Sequence, residues 1–147
     1  MPYHSAFNPR KIGQFNGNLK AVYYLEYLHS VIGFVYNEQN NETSIQSLSL
    51  FEIKNSAGCS EAKELLQGID GVVECQGTNR IQFFDNHLHV LTRLQEGQYC
   101  LYSISFAGEV IEVQRRATGA RMFHKIKDGP ILSATQDCLK VRSHFHH

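Results

Sequence analysis

The chain has 147 residues, of which 42% are hydrophobic and 19% are charged, and its acidic and basic residues are equal in number. This length and composition predict one folded domain with its own hydrophobic core, and they exclude an intrinsically disordered chain. The four cysteines form no CxxC pair, and no apolar run is long enough to cross a membrane. We therefore expect a soluble, cytoplasmic protein with no membrane partner.

The balanced net charge conceals a basic C-terminal part. Residues 1–114 contain 7 Lys or Arg and 12 Asp or Glu, whereas residues 115–147 contain 7 and 2. A nucleic-acid-binding domain usually carries a larger positive charge, so we interpret this part as a solvated basic edge and expect no nucleic-acid partner. We predict a single domain over residues 1–147, with an irregular lead-in over 1–17 and a His-rich tail over 142–147.

The segment from Leu19 to Tyr36 fits two structures. Apolar residues follow Asn18, a good helix cap, at helical spacing, and this pattern predicts an amphipathic helix. The same segment is rich in aromatic and β-branched residues from Val22 onward and contains Gly33, which favours a pair of strands. We adopt the helix as the prediction and keep the two strands as the alternative.

The elements that follow lead to a fold class. Residues 44–53 predict a strand with apolar side chains on both faces, and residues 60–66 predict a short helix that ends at Gly68. Residues 72–76 predict a short strand that leads into a run of further strands. The order predicts an α+β domain: an antiparallel β-sheet meander with one or two N-terminal helices packed on one face.

The best-defined part of that meander is the hairpin around Gly108-Glu109. Gly at the first of two turn positions suits a type II′ turn, which pairs Ile104 with Val113 on an apolar side. Ser103 and Gln114 then pair on the opposite side. The alternation predicts a sheet with one solvated face.

The preceding hairpin turns at residues 95–97 and can close in two ways. A two-residue loop places His87 and His89 on the apolar side, whereas a three-residue loop with a left-handed Gly97 turns both imidazoles to the solvated side. Burying two imidazoles without partners would cost about 1–3 kcal/mol each. We therefore predict the three-residue loop, with Leu88 paired to Ile104.

Cys59 is a candidate nucleophile, because it begins a predicted helix whose dipole would lower the pKa of a thiol. Residues 58–60, Gly-Cys-Ser, and the strand that starts at His89 resemble the NlpC/P60 branch of papain-like hydrolases. The resemblance implies hydrolysis of amide or ester bonds, with Cys59 as nucleophile, His89 as base and Ser103 at the position of the third polar residue. The alternative interpretation is a small buried cysteine at a helix start.

A metal site is a second hypothesis. His87 and His89 point the same way from one strand, Glu112 lies on the same face two strands away, and His124 lies farther along the chain. Two histidines and a carboxylate with open positions suit Fe, Mn, Ni or Zn, and this order resembles the cupin pattern of His-x-His followed by Glu and a later His. The alternative is a set of solvent-facing histidines.

The third hypothesis makes the solvated face or a pocket of the sheet a binding surface. The order of elements resembles that of NTF2-like cones, which implies a small-molecule ligand or a homodimer through the sheet. Leu91 and Leu101, apolar residues on the predicted solvated face, could mark a pocket or a dimer surface. We predict a binding or interaction protein for a small molecule or a protein partner, with no cofactor, and keep the cysteine hydrolase and the divalent-metal protein as alternatives.

Overall fold

The computed structural model describes residues 10–55, 59–74, 79–108 and 110–145. Within these ranges the protein is built almost entirely of β-strands, and its helical structure consists of a short α-helix, Leu50–Asn55, and a 3₁₀ turn, Glu26–Leu28. The strands, numbered in chain order, are β1 (Gly13–Gln14), β2 (Asn18–Leu25), β3 (Ser30–Asn37), β4 (Glu42–Ser49), β5 (Ser60–Glu61), β6 (Lys63–Asp70), β7 (Ile81–Phe84), β8 (His87–Arg93), β9 (Tyr99–Ser105), β10 (Glu112–Thr118), β11 (Met122–Lys125), β12 (Ile131–Ala134) and β13 (Leu139–Arg142).

The predicted α+β class is wrong, because both predicted helices are strands. Residues 19–36 form the antiparallel hairpin β2–β3, the alternative interpretation of this segment. The predicted helix over 60–66 lies in β5 and β6 instead. In residues 19–36 tertiary pairing overrides the helical spacing, since β-branched and aromatic residues pack well on a pleated sheet. Residues 60–66 contain no such residue, and there the pairing of β6 with β4 makes the segment a strand.

The bounds of two predicted strands differ from those in the structure. The predicted strand over 44–53 is β4, which begins at Glu42 and ends at Ser49, and the chain then turns into the helix Leu50–Asn55. The predicted strand over 72–76 is reduced to one antiparallel bridge between Val72 and Arg93, and its last two residues lie outside the described ranges.

The strands form three larger sheets that stack as layers. The N-terminal sheet has the order β2-β3-β4-β6, the central sheet β10-β9-β8-β7 and the C-terminal sheet β11-β12-β13, and β1 and β5 form a separate parallel pair. One apolar core fills the space between the N-terminal and central sheets, and it includes Phe34, Ile45, Leu88 and Ile104. A second, smaller core on the other face of the central sheet consists of Leu91, Leu101, Phe123, Ile131 and Phe145.

The predicted registers of the central sheet are confirmed. Leu88 pairs with Ile104, and Ile104 pairs with Val113. The amide of Leu94 donates to the carbonyl of Gln98 at 2.7 Å, which closes a three-residue loop, and Gly97 has a φ of 85°. The turn residue therefore fixed which side chains share a face, because a slip of one residue would exchange the two faces.

The predicted solvated face of the central sheet is wrong. His89 and Ser103 do lie on the face opposite the first core, but they are only 2% and 4% exposed. The C-terminal sheet covers this face and contributes Phe123 and Ile131 to the second core. The two middle strands of this sheet, β8 and β9, are therefore buried on both faces, as expected for a middle layer, whereas the edge strand β10 is largely exposed.

Two glutamine side chains attach neighbouring segments to the sheets. Gln46 of β4 accepts a hydrogen bond from the Asn16 amide and donates one to the Asn16 carbonyl, both at 2.9 Å. Gln82 of β7 does the same with Lys125 of β11, at 2.8 and 3.1 Å. Each side-chain amide thus bonds the N–H and the C=O of one residue, as the backbone of a neighbouring strand would. The contacts of Gln82 join the C-terminal sheet to the central sheet.

An ion-pair cluster joins Glu74 to Arg80 and to Arg93 of β8. The carboxylate of Glu74 accepts hydrogen bonds from Arg80 at 2.9 Å and from Arg93 at 2.6 Å. Partial burial opposes ionisation of Glu74, but the two guanidinium groups outweigh that effect, and its pKa lies below the ordinary value of 4.5.

Replacing Glu74 by glutamine is expected to lower the free energy of unfolding by about 1 kcal/mol near neutral pH, a value kept small because solvent screens the half-exposed carboxylate. A lowered carboxyl pKa stabilises the fold above the unfolded pKa, and this contribution is lost as the pH falls through the folded pKa. Urea unfolding at several pH values should therefore show that the variant and the parent protein converge in acid. Glu96→Gln, in an exposed turn, is the control, and a difference that is constant with pH would contradict the assignment.

Candidate functional site

An open groove of about 840 Å³ lies on the N-terminal sheet. Phe34 and Ile45 pair across β3 and β4 and point into the core, so their neighbours Val35, Ser44 and Gln46 point to the outer face. These outward residues are part of the groove lining. The groove is therefore on the side of the sheet that faces away from the central layer.

The N-terminal segment forms one wall of the groove. The Gln46 amide holds the backbone of Asn16, as described above, and the ring of Phe15 lies against Gly33. A β-carbon at Gly33 would overlap that ring, which explains why glycine occupies this position in a central strand. The segment thus crosses the outer face and leaves the groove beside it.

Two irregularities in the pairing of β4 with β6 shape the opposite wall. The register shifts between Thr43 and Ile45 and again between Ile45 and Gln46. Gly68, with a φ of 79°, takes the left-handed conformation that such a bulge requires. The bulges bring Glu64, Gln67 and Gly68 of β6 to the lining. Gly68 was interpreted from the sequence as the end of a helix, so this wall was missed.

The lining is acidic and rich in amides. Three carboxylates line it, those of Glu38, Glu42 and Glu64, and none of the lining residues in the described part of the chain is Lys, Arg or His. The amide of Asn40 donates to Glu42 at 3.3 Å, and that of Gln67 donates to Glu64 at 2.6 Å. These hydrogen bonds orient the carboxylates, while the open face of the groove leaves room for a ligand.

Cys59 does not lie at a helix start. It is exposed, immediately precedes β5, and its Sγ donates to the Ser60 carbonyl at 3.8 Å. Because no helix begins there, the dipole argument for a reactive thiol no longer applies to this cysteine. Its role as a nucleophile stays a prediction without support from the local geometry.

The structure brings His89 and Ser103 together, as the predicted register requires. Nδ1 of His89 lies 2.8 Å from Oγ of Ser103, and Nε2 lies 3.3 Å from the carbonyl oxygen of Phe84. A carbonyl can only accept, so Nε2 carries a proton, and in the neutral ring Nδ1 accepts from the serine hydroxyl. The ring lies among Phe84, Phe123 and Phe145, at centroid distances of 4.2, 6.5 and 5.1 Å. These contacts describe a hydrogen-bonded core histidine.

The predicted metal ligands are not gathered. The rings of His87 and His89 are stacked at 5.8 Å, but Glu112 is exposed on the edge strand β10, and His124 is exposed on β11 next to the inward-pointing Phe123. Among the described residues, no group of three or more His, Cys, Asp or Glu side chains could hold a metal ion. The metal hypothesis stays a prediction that this geometry does not support.

Comparisons with known proteins give no assignment, because no protein-family model, curated protein or solved structure matches the chain. In the ranges that the structure describes, no helix has the length and apolar character that crossing a membrane requires. The fold and the groove together describe a layered all-β protein with an acidic polar cleft.

Proposed function

We propose that this protein is a binding module whose groove on the N-terminal sheet takes a small, positively charged ligand rich in hydrogen-bond donors, such as a polyamine or an amino sugar. The observation that carries the proposal is the lining of the groove, in which three carboxylates and several side-chain amides occur with no Lys, Arg or His among the lining residues of the described ranges. Carboxylates accept charge-assisted hydrogen bonds from ammonium groups, and amides accept from and donate to hydroxyls. A cytoplasmic location is part of this proposal, and the composition of the sequence is what supports it.

The size and shape of the groove support a small molecule. Its volume of about 840 Å³ lies within the range of ligand pockets, which is roughly 300–1,000 Å³. Its walls are held by the Gln46 amide and by the bulges of β6, so the binding geometry exists before a ligand arrives. Acidic walls around a concave surface also raise the local concentration of cations, which speeds association at low salt.

Isothermal titration with spermidine and with glucosamine tests the proposal, and glucose is the neutral reference. Replacing Glu42 or Glu64 by glutamine removes one charge with little change in shape and is expected to weaken binding of the cations about tenfold or more. Glu61→Gln, an exposed carboxylate on β5 outside the groove lining, should bind like the parent protein. Equal losses for all three variants, or equal affinity for glucose and glucosamine, would contradict the proposal.

A further inference from the structure

The two edges of the C-terminal sheet differ. The edge at β11 is closed, because the Gln82 side chain bonds both backbone groups of Lys125 and the Phe123 amide donates to the Asn79 carbonyl at 2.9 Å. The other edge strand, β13, pairs only with β12 in the part of the chain that the structure describes. Its outer side therefore presents backbone N–H and C=O groups that can accept another strand.

The side chains of β13 alternate between apolar and basic. Leu139 and Val141 are 70% and 63% exposed, the largest exposures of apolar side chains on this sheet. They share the outer face of the sheet, which consists of Met122, His124, Leu132, Ala134, Leu139 and Val141. Lys140 and Arg142 lie on the opposite face, where the edge position leaves the lysine exposed. A partner strand must match both faces.

Charge disfavours the pairing of β13 with β13 of a second copy. In the antiparallel registers that overlap most and keep the apolar residues of two β13 strands on one face, Lys140 of one copy lies opposite Lys140 or Arg142 of the other. Like charges directly opposite each other destabilise a strand pair. The surrounding segment reinforces the effect, since residues 115–147 carry 7 Lys or Arg and only 2 Asp or Glu. The strand that fits alternates acidic and apolar residues.

We propose that β13 binds an extended acidic and apolar segment of another protein, which adds a fourth strand to the C-terminal sheet. Main-chain hydrogen bonds along the open edge hold the segment, and they do not depend on its sequence. Its apolar side chains extend the surface of Leu139 and Val141, and its carboxylates pair with Lys140 and Arg142. This surface lies on a different layer from the polar groove, so the two binding events are separable.

The test uses two labelled octapeptides, one that alternates Glu with Val and one that alternates Lys with Val, and measures fluorescence anisotropy against the full chain. The acidic peptide is expected to bind and the basic peptide is not. The double substitution Lys140→Glu and Arg142→Glu should weaken the acidic peptide about tenfold or more and create binding of the basic one. Lys127→Glu is the control, because it makes the same reversal of charge as Lys140→Glu but in the exposed turn after β11.

The outcomes separate the proposal from its alternatives. Equal effects of the Lys127 and the β13 substitutions would show a general charge attraction and overturn the proposal, as would unchanged peptide binding by the double variant. A dimer in sedimentation that Leu139→Ser dissolves would show that a second copy occupies the edge, and it would overturn the proposal too. If the double variant loses its fold by circular dichroism, Lys140→Glu alone supplies the same comparison, because this lysine is exposed.

Discussion

Replacing Gly71 by alanine should lower the free energy of unfolding by about 3 kcal/mol or more, the largest effect that we expect from a single methyl group in this chain. Gly71 has a φ of 94°, which strains any residue with a side chain. A β-carbon there would lie 2.8 Å from the carbonyl oxygen of Arg93 and 3.0 Å from Oγ1 of Thr92. The carbonyl belongs to the backbone of β8 and cannot move aside without breaking the bridge from Val72 to Arg93.

The position of Gly71 explains why such a small change matters. Its amide donates to the Asn41 carbonyl at 2.8 Å, and its own carbonyl accepts from Oγ1 of Thr43 at 2.6 Å. These bonds attach the glycine to the N-terminal sheet, and the next residue, Val72, pairs with Arg93 of the central sheet, so displacing Gly71 disturbs both layers. Urea unfolding of the purified variant measures the loss.

Gly68→Ala is the matched control for this prediction. Gly68 also has a left-handed φ, 79°, but a β-carbon there would meet no atom within 4 Å. Alanine at Gly68 should therefore cost only the backbone strain, about 1–2 kcal/mol. The difference between the two variants isolates the overlap with the Arg93 carbonyl, and equal losses would refute that explanation.

The parts of the fold that the sequence predicted correctly depend on local turn chemistry. The left-handed Gly97 decided between two registers of β8 and β9, and with it the face on which His89 lies. The pairing of Ile104 with Val113 followed in the same way from the turn near Gly108. Such predictions succeed because the side-chain period of a strand is two, so one fixed turn determines every position beyond it.

The errors arise where contacts between distant segments decide the structure. The helical spacing over residues 19–36 is a coincidence of packing, because apolar side chains of β2 and β3 alternate toward a core that β8 and β9 complete. The face of the central sheet with His89 and Ser103 was expected to be solvated because nothing local shows that Phe123 and Ile131 return to cover it. Neither Leu91 nor Leu101 marks an open surface, since each is a part of that second core.

The groove was equally hard to predict. Its three carboxylates come from the loop after β3, from β4 and from β6. In the sequence they lie in the polar run of residues 37–43 and in a segment that predicts a helix. One signal was present in Gly68, which breaks the helical pattern where the β-bulge occurs. A glycine inside a strand pattern often marks a bulge, so a strand interpretation of residues 63–70 would have indicated the wall of the groove.

Replacing Gln82 by alanine is expected to lower the free energy of unfolding by about 2–4 kcal/mol, because it leaves two half-buried backbone groups of Lys125 without their partners. Besides the lower free energy of unfolding of the whole protein, we expect a loss of protection close to Lys125. In the parent protein the Lys125 amide donates to Oε1 of Gln82. Hydrogen exchange should show that this amide loses more protection in the variant than the amides of β8 do. A fall in stability without that local change would contradict the bridging role.

Gln82→Glu tests the direction of the two hydrogen bonds. A carboxylate can still accept from the Lys125 amide, but its second oxygen would lie against the Lys125 carbonyl, and two acceptors repel each other, so the expected loss is at least half of that for alanine. Gln46→Ala removes the same pair of bonds from Asn16 on the opposite side of the protein and should leave exchange at Lys125 unchanged.

Because Gln82 closes the β11 edge of the C-terminal sheet, its loss should also expose a second strand edge. The alanine variant is therefore expected to associate with itself more readily than the parent protein, which sedimentation measures.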